Sequence, residues 1–279
     1  MRRLDGRVAI VTGGGRGLGR AHALALAAAG ARVVVVDPGC ALDGAGADES
    51  VAGAVAAEID GLGGDAIGLA VEVGTEAAAR EIVDVAGASF GRLDVLVNNA
   101  GISIASPLEE ITVEVWERVL RVHLTGTFTL SREAFSAMRL RGAGGRIINT
   151  TSGAGLVNGY AGSASYAAAK GGIAALTRVI AAEGAPYGIS CNAIAPLALT
   201  RMSGAFLAGR PDGGDPAWVS PLVVFLASAA GGRVSGEIFR AAEGRIGRFR
   251  GALPQGIASR RSAWTDDEIE ARLDEILAS

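Results

Sequence analysis

Tyr166 and Lys170 stand four positions apart in Tyr166-Ala167-Ala168-Ala169-Lys170, a phenol and an ammonium that a helix sets on one face. A nearby cation favours phenolate over phenol, so the pair predicts a Tyr166 pKa drawn down from its ordinary value of about 10. Such a group would transfer protons near neutrality. Lys170 is the only lysine among the 279 residues, whereas arginines are numerous. An ammonium is a compact charge with rotatable donors and a guanidinium is a broad planar fork, so this lysine points to a site that needs the smaller shape. On its own the pair is equally ordinary helix-surface decoration, and the surrounding chain has to decide.

A second stretch carries chemistry of another kind. The β-branched run Arg7-Val8-Ala9-Ile10-Val11 ends in Thr12-Gly13-Gly14-Gly15-Arg16-Gly17-Leu18-Gly19, and an Ala/Leu-rich helix over 20–29 follows, stopped by Gly30. Strand, glycine loop and helix together make a phosphate site: glycines let the backbone approach a pyrophosphate, and the helix N-terminus offers free N–H groups to its charge. A second strand over 32–36 closes on Asp37. A carboxylate there accepts hydrogen bonds from an adenosine ribose diol and repels a 2′-phosphate, which favours NAD over NADP; Arg16 partly offsets that preference. The alternative for Asp37 is a turn residue before Pro38-Gly39.

Further elements must position these groups. A polar, glycine-rich connection over 38–50 leads to a helix at 51–59, a strand at 66–73 with Glu72 near its end and in reach of an adenine, and a helix at 77–90. The strand 93–97 runs into Asn98-Asn99-Ala100-Gly101, and one long helix, 112–138, carries His123, a lone helix histidine more often structural than catalytic. The strand 146–150 leads to Ser152, the helix from Tyr166 runs to about 185, and a sixth strand, 189–194, ends at Ala195-Pro196. A glycine- and proline-rich segment, 197–216, is placed to fold over a substrate; a helix at 218–227 and a short strand at 236–240 close the pattern. The βαβα alternation predicts an α/β fold with an open, doubly wound parallel sheet flanked by helices, and ligands bind beyond the carboxyl ends of such strands. The glycine loop, Asp37, Glu72, Asn98-Asn99 and Ser152 all fall at that edge.

The domain expected is 1–244, with 245–279 an arginine-rich extension whose capping box at Trp264-Thr265-Asp266-Asp267-Glu268 starts a final amphipathic helix with Ile269, Leu273, Ile276 and Leu277. Hydrophobic content of 49% with 20% charged residues is that of a globular chain, and a net charge of −3 gives no electrostatic reason to expect nucleic acid. Cys40 and Cys191 lack the spacing of a disulfide framework or a zinc site, and no metal is expected. Neither a signal peptide nor a membrane-length apolar run is visible, so a soluble, cytoplasmic protein is expected.

In this order the motifs resemble the short-chain dehydrogenase/reductase family over residues 5–244: the TGxxxGxG loop at Thr12 to Gly19, NNAG at Asn98 to Gly101, Ser152, and YxxxK at Tyr166 to Lys170. Arg121-Val122-His123-Leu124, Cys191 to Pro196, Arg201-Met202, Trp218 to Leu222 and the basic tail are similar, more narrowly, to the (3R)-hydroxyacyl-CoA dehydrogenase domain of peroxisomal multifunctional β-oxidation enzymes and their bacterial relatives. The resemblance implies a single-domain Rossmann-like fold and an NAD-dependent oxidoreductase that interconverts a secondary alcohol and a ketone. The substrate it suggests is a (3R)-hydroxyacyl-CoA; a 3-oxoacyl reductase using NADPH, a steroid or terpenoid alcohol dehydrogenase and a non-catalytic nucleotide sensor are the alternatives. It implies a catalytic set of Ser152, Tyr166, Lys170 and His123. Cofactor contacts are implied for Gly13, Gly15, Arg16, Gly17, Leu18, Gly19, Asp37, Glu72, Val73, Asn99, Ala100, Gly101, Tyr166, Lys170, Pro196, Leu199 and Thr200, and a homotetramer or homodimer for the assembly.

Three departures from the family pattern stand out, one of them Leu197 after Ala195-Pro196 where Gly is usual, which leaves Thr200 in the place of the usual nicotinamide-side Thr. His123 occupies the place of a usual active-site Asn, so a proton relay through imidazole or through its helix carbonyl is expected. Ser152 lies 14 positions before Tyr166, one more than usual, which predicts a bulge around Asn158-Gly159-Tyr160.

Overall fold

The computed structural model describes residues 3–204, 214–242, 244–249 and 266–278. Eight strands form one sheet in the order β3-β2-β1-β4-β5-β6-β7-β8. They are β1 Val8–Thr12, β2 Arg32–Val36, β3 Ala66–Leu69, β4 Val95–Asn98, β5 Gly145–Thr150, β6 Ile189–Leu197, β7 Ile238–Ala242 and β8 Arg245–Arg248. All neighbours pair parallel except β7 and β8. Helices α1 Gly17–Ala28, α2 Ser50–Gly61, α3 Glu76–Phe90, α4 Val113–Leu120, α5 Gly126–Arg141, α6 Ala164–Gly184 and α7 Ser220–Ala227 fill the connections.

The sheet is buried on both faces, which is why its central strands read as unbroken apolar runs rather than alternating ones. Successive side chains still point to opposite faces. Val33 and Val35 therefore join the core that holds Leu26 of α1, Ile59 of α2 and Val223 of α7. Val34 and Val36 join the opposite core with Ile82 of α3, Leu130 and Met138 of α5 and Ile180 of α6. Burying each such Leu or Ile stabilises by roughly 1.5–3 kcal/mol. Local signals set the helix ends: Thr75 and Thr112 cap α3 and α4 by accepting from Ala78 N and Val115 N, and Gly91 ends α3 in the left-handed region.

Between β1 and β4 the winding of the sheet reverses, the place where a crevice opens beyond the carboxyl ends of the strands. The opposite end is held by Asp94, whose buried carboxylate accepts from Val8 N at 2.9 Å and from both arms of Arg92 at 2.8 Å, with Arg141 at 3.0 Å.

Several boundaries differ from the sequence expectation. The strand expected at 66–73 stops at Leu69, so Glu72 and Val73 lie on the loop to α3. The helix expected over 112–138 is interrupted by a π-helical turn, Arg121–Thr125. There the chain at 73–74 presses on the helix, and a Cβ on Gly74 would meet Arg121 while one on Gly126 would meet Val73. The sixth strand runs three residues beyond 194, taking in Pro196, and the arginine-rich stretch after 244 contributes β8, an antiparallel edge strand. The first compact unit spans Met1–Arg248. In the second, Phe249–Ser279, two short helices, α8 Asp266–Ala271 and α9 Leu273–Ala278, replace the one amphipathic helix expected, with Arg272 between them paired to Glu275. Trp264, Thr265 and residues 205–213 of the expected substrate cover lie outside the described residues. Among the described residues no helix is long and apolar enough to cross a membrane.

Burial works to raise the Asp94 pKa, but the Arg92 hydrogen bonds, the Val8 N–H and the charges of Arg141 and Arg92 outweigh it and hold the carboxyl below its ordinary value. Asp94→Ala is therefore expected to lower the unfolding free energy by about 3 kcal/mol at neutral pH, measured by urea titration. Because the folded pKa is the depressed one, the contribution is full above about pH 4 and is lost as pH falls through the folded value.

Candidate active site

The glycine loop closes β1 and opens α1 without a capping side chain: Arg16, at the N-cap, makes no side-chain cap hydrogen bond. The first-turn N–H groups are left for an anion. The loop is narrow because backbone meets backbone; a Cβ on Gly19 would strike the carbonyl of Gly13, and one on Gly13 would lie 2.8 Å from Ala100 Cα. Thr12 joins the loop to the turn after β4, its Oγ1 accepting from Asn99 N at 3.0 Å and Ala100 N at 3.1 Å. Asn99 answers with its amide on the carbonyls of Thr12 and Gly13, at 3.0 and 3.2 Å. Thr12 is a site residue that sequence reasoning passed over as the first letter of a motif; its position at the last residue of β1 beside the NNAG turn was the signal.

Asp37 is buried at the end of β2. Its carboxylate accepts from Gly15 N at 2.9 Å and from Gly39 N at 2.8 Å, so it orders the glycine loop and the connection behind it. Arg16 turns toward that connection and donates to Cys40 O at 3.0 Å. The connection itself, 38–49, is folded: Asp48 N reaches Pro38 O, and Ser103 N donates to Leu42 O at 2.9 Å. It thereby runs from the end of β2 to the chain beyond β4, across the end of β1 that lies between them in the sheet.

The second half of the site hangs on β5 and α6. Lys170, buried, donates from Nζ to Thr150 O at 2.7 Å, while Thr151 Oγ1 donates to Lys170 O at 2.7 Å. A Cβ on Gly155 would strike the backbone of Lys170 and Gly171, so the turn after Ser152 packs directly on α6. Lys170 Nζ lies 5.6 Å from the Tyr166 ring centroid, and Ser152, whose Oγ accepts from Ala154 N at 3.2 Å, is close enough to the phenol to act on its pKa. His123 meets the same ring edge-on at 5.3 Å between centroids. Ser152, Tyr166, Lys170 and His123 are thus brought together as expected.

Their electrostatics correct the expectation. Burial raises the Tyr166 pKa, with Ser152 working the other way, and burial lowers that of Lys170 to about 7. The predicted downward pull of Lys170 on the phenol is not what governs the protein alone, because burial disfavours the charged form of both groups.

Other expected residues scatter. Asn98 turns into the protein, its amide on Ser131 Oγ and Asn149 Oδ1, so it holds the sheet rather than facing the crevice. Glu72 is exposed, 4.0 Å from Arg121. Thr200 stands next to Gly17, where a Cβ would lie 3.3 Å from its methyl, and bonds Ser203; Leu199 beside it is exposed. The run 157–161, which takes in the expected bulge at 158–160, is exposed; it is tied back where Ser163 bonds Tyr160 O, and Gly162 O accepts from Ser106 N at 3.0 Å. Through that bond the 103–107 and 156–163 loops form one rim.

Residues 7–207 match the sequence model of the short chain dehydrogenase family. The chain belongs to that family. Among short-chain dehydrogenases of solved structure, one from Mycobacterium avium is 43% identical with a TM-score of 0.87, covering 99% of this chain and 96% of its own. A hydroxyacyl-CoA dehydrogenase of Mycobacterium tuberculosis is 42% identical over 250 residues, 85% of this chain and 77% of that protein. Peroxisomal multifunctional enzyme type 2 of Mus musculus is 41% identical over 249 residues, 89% of this chain but 33% of the relative. This short-chain dehydrogenase therefore spans about a third of the length of that multifunctional relative.

Proposed function

We propose that this chain is an NAD-dependent dehydrogenase that oxidises the 3-hydroxyl of a (3R)-hydroxyacyl-CoA. The observation that carries the reading is the gathering of Ser152, Tyr166 and Lys170 at the same sheet edge as the uncapped glycine loop. The N-terminus of α1 and the bare backbone of Gly13 and Gly19 fit a pyrophosphate. Asp37, already fixed by two backbone donors, fits a ribose diol and disfavours a 2′-phosphate, which supports NAD over NADP. When bound, the nicotinamide ring supplies the hydride acceptor.

The chain's own residues do the proton work in this reading. Tyr166 takes the hydroxyl proton of the substrate. Ser152 donates to the substrate oxygen and stabilises the charge that grows on it. Lys170, with Nζ donors left after its bond to Thr150, favours the phenolate and holds a ribose hydroxyl. The name of the Mycobacterium tuberculosis relative, a hydroxyacyl-CoA dehydrogenase, supports the CoA thioester as substrate. So do the exposed Leu108, Val157 and Tyr160 on the rim, which suit an apolar acyl chain, and exposed Arg201, which suits phosphate. A homotetramer or homodimer through α5 and α6 belongs to the same reading, supported by exposed Phe128 and Val179 on those helices. The free thiols of Cys40 and Cys191 suit the cytoplasm.

The test is NADH or NADPH formation by purified protein with (3R)- and (3S)-hydroxyacyl-CoAs, steroid alcohols and simple secondary alcohols. Turnover of the (3R) thioesters with NAD⁺ is expected, and turnover confined to CoA-free alcohols would discard the substrate while keeping the dehydrogenase. Tyr166→Phe should lower kcat by about 10²–10⁴ with NADH binding retained; undiminished turnover would remove the mechanism. Asp37→Ala should raise the use of NADP⁺ relative to NAD⁺, and an unchanged ratio would show that Asp37 only orders the loop.

A further inference from the structure

His123 sits on the π-helical turn Arg121–Thr125, 1% exposed, between the two halves of the site. Its Nε2 lies 2.8 Å from Ile102 O and 3.1 Å from Ile102 N. A neutral ring protonated at Nε2 donates to that carbonyl, and the other tautomer accepts from that N–H, so either form grips Ile102. The same ring lies against Gly101, where any Cβ would strike it. Its edge contact with Tyr166 then ties the turn Asn99-Ala100-Gly101 to the phenol across the site. A one-residue widening of the helix delivers the ring to this point, a common use of π turns at functional sites.

A charged ring fits this place badly. Protonation would put a second N–H at Nδ1, which is buried without a hydrogen-bond partner among the described residues. The groups that face the ring from α6 are Tyr166 and Lys170, and Lys170 brings a positive charge; the 99–102 stretch offers no titratable side chain. Burial, with the Lys170 charge adding to it, pushes the imidazole pKa down to about 3.

We propose that His123 is a positioning residue: held on Ile102, it fixes the Asn99–Gly101 turn and the Tyr166 ring relative to each other, and it carries no proton during turnover. This rests on the dehydrogenase reading above and replaces the proton relay through imidazole that the sequence suggested. Misplacement of reacting groups by about 1 Å costs on the order of 10²-fold in rate, which sets the size of the effect.

The experiment compares wild type, His123→Gln and His123→Phe for kcat and KM for NAD⁺ between about pH 6 and 10, for NADH affinity by fluorescence, and for thermal unfolding. A glutamine amide reaches about as far as Nε2 and both donates and accepts, but does not titrate in this range. The Gln variant is expected within about threefold of wild type in kcat, with the same pH profile and NADH affinity. The Phe variant keeps the edge contact and loses the grip on Ile102, so kcat should fall about 10²-fold and NADH should bind more weakly while the unfolding midpoint changes little.

Loss in the Gln variant equal to that in Phe, or a wild-type pH limb missing from Gln, would assign His123 a proton and overturn the proposal. Wild-type kcat and NADH affinity in the Phe variant would reduce it to filler and also overturn it. If the Phe variant does not fold, His123→Leu takes its place with the same expected losses. Should wild type turn over no alcohol at all, the dehydrogenase reading fails by itself, and the NADH affinities of the two variants still decide the positioning role.

Discussion

Desolvation of a single ammonium group organises this protein's candidate site. Lys170 has left water almost completely, and what it has gained in exchange is the carbonyl of Thr150 at the end of β5. That bond, with the return bond from Thr151 to Lys170 O, locks the second turn of α6 to the edge of the sheet. Ser152 follows Thr151 on the strand side and Tyr166 precedes Lys170 by one helical turn, so the lock also fixes their spacing. A buried cation with spare donors is costly on its own and is retained where something uses its charge.

The dinucleotide half is built on the same plan of one short polar side chain joining two backbone turns. Thr12 binds the NNAG turn to the glycine loop, and Asp37 binds the glycine loop to the connection after β2. That connection reaches across to Ser103, beyond β4. The two halves meet at the stretch 99–102, where Asn99 faces the glycine loop and Ile102 faces His123. A parallel sheet with its winding reversed between β1 and β4 brings these turns to one edge, and the Asp94 cluster secures the other.

The α/β order, the parallel sheet and the Ser152, Tyr166, Lys170 grouping were legible because each depends on short-range pattern: apolar runs, glycine spacing, and i,i+4 placement. What the sequence hid depends on contacts between distant segments. The π turn at Arg121–Thr125 has no local signal, and the residues packed against it, Val73 and Gly74, come from another loop. The connection 38–49 reads as polar coil, and the bond that carries it across the sheet edge comes from Ser103, about sixty residues further along the chain. Asn98 carries the same letter as Asn99, yet the alternation of the strand turns one into the core and the other toward the glycine loop. The pKa of Tyr166 failed for a related reason, since proximity to a cation is visible in sequence and burial of both partners is not.

Lys170 being the one lysine in the chain, its titration can be followed without assignment. The most direct measurement is therefore the pH dependence of the single lysine ε-carbon signal in protein labelled with ¹³C-lysine, recorded by NMR without cofactor. A buried ammonium held on Thr150 predicts a midpoint of about 7. A midpoint near the ordinary lysine value of about 10.4 would mean that Lys170 is solvated, and would contradict the account of how this site is built.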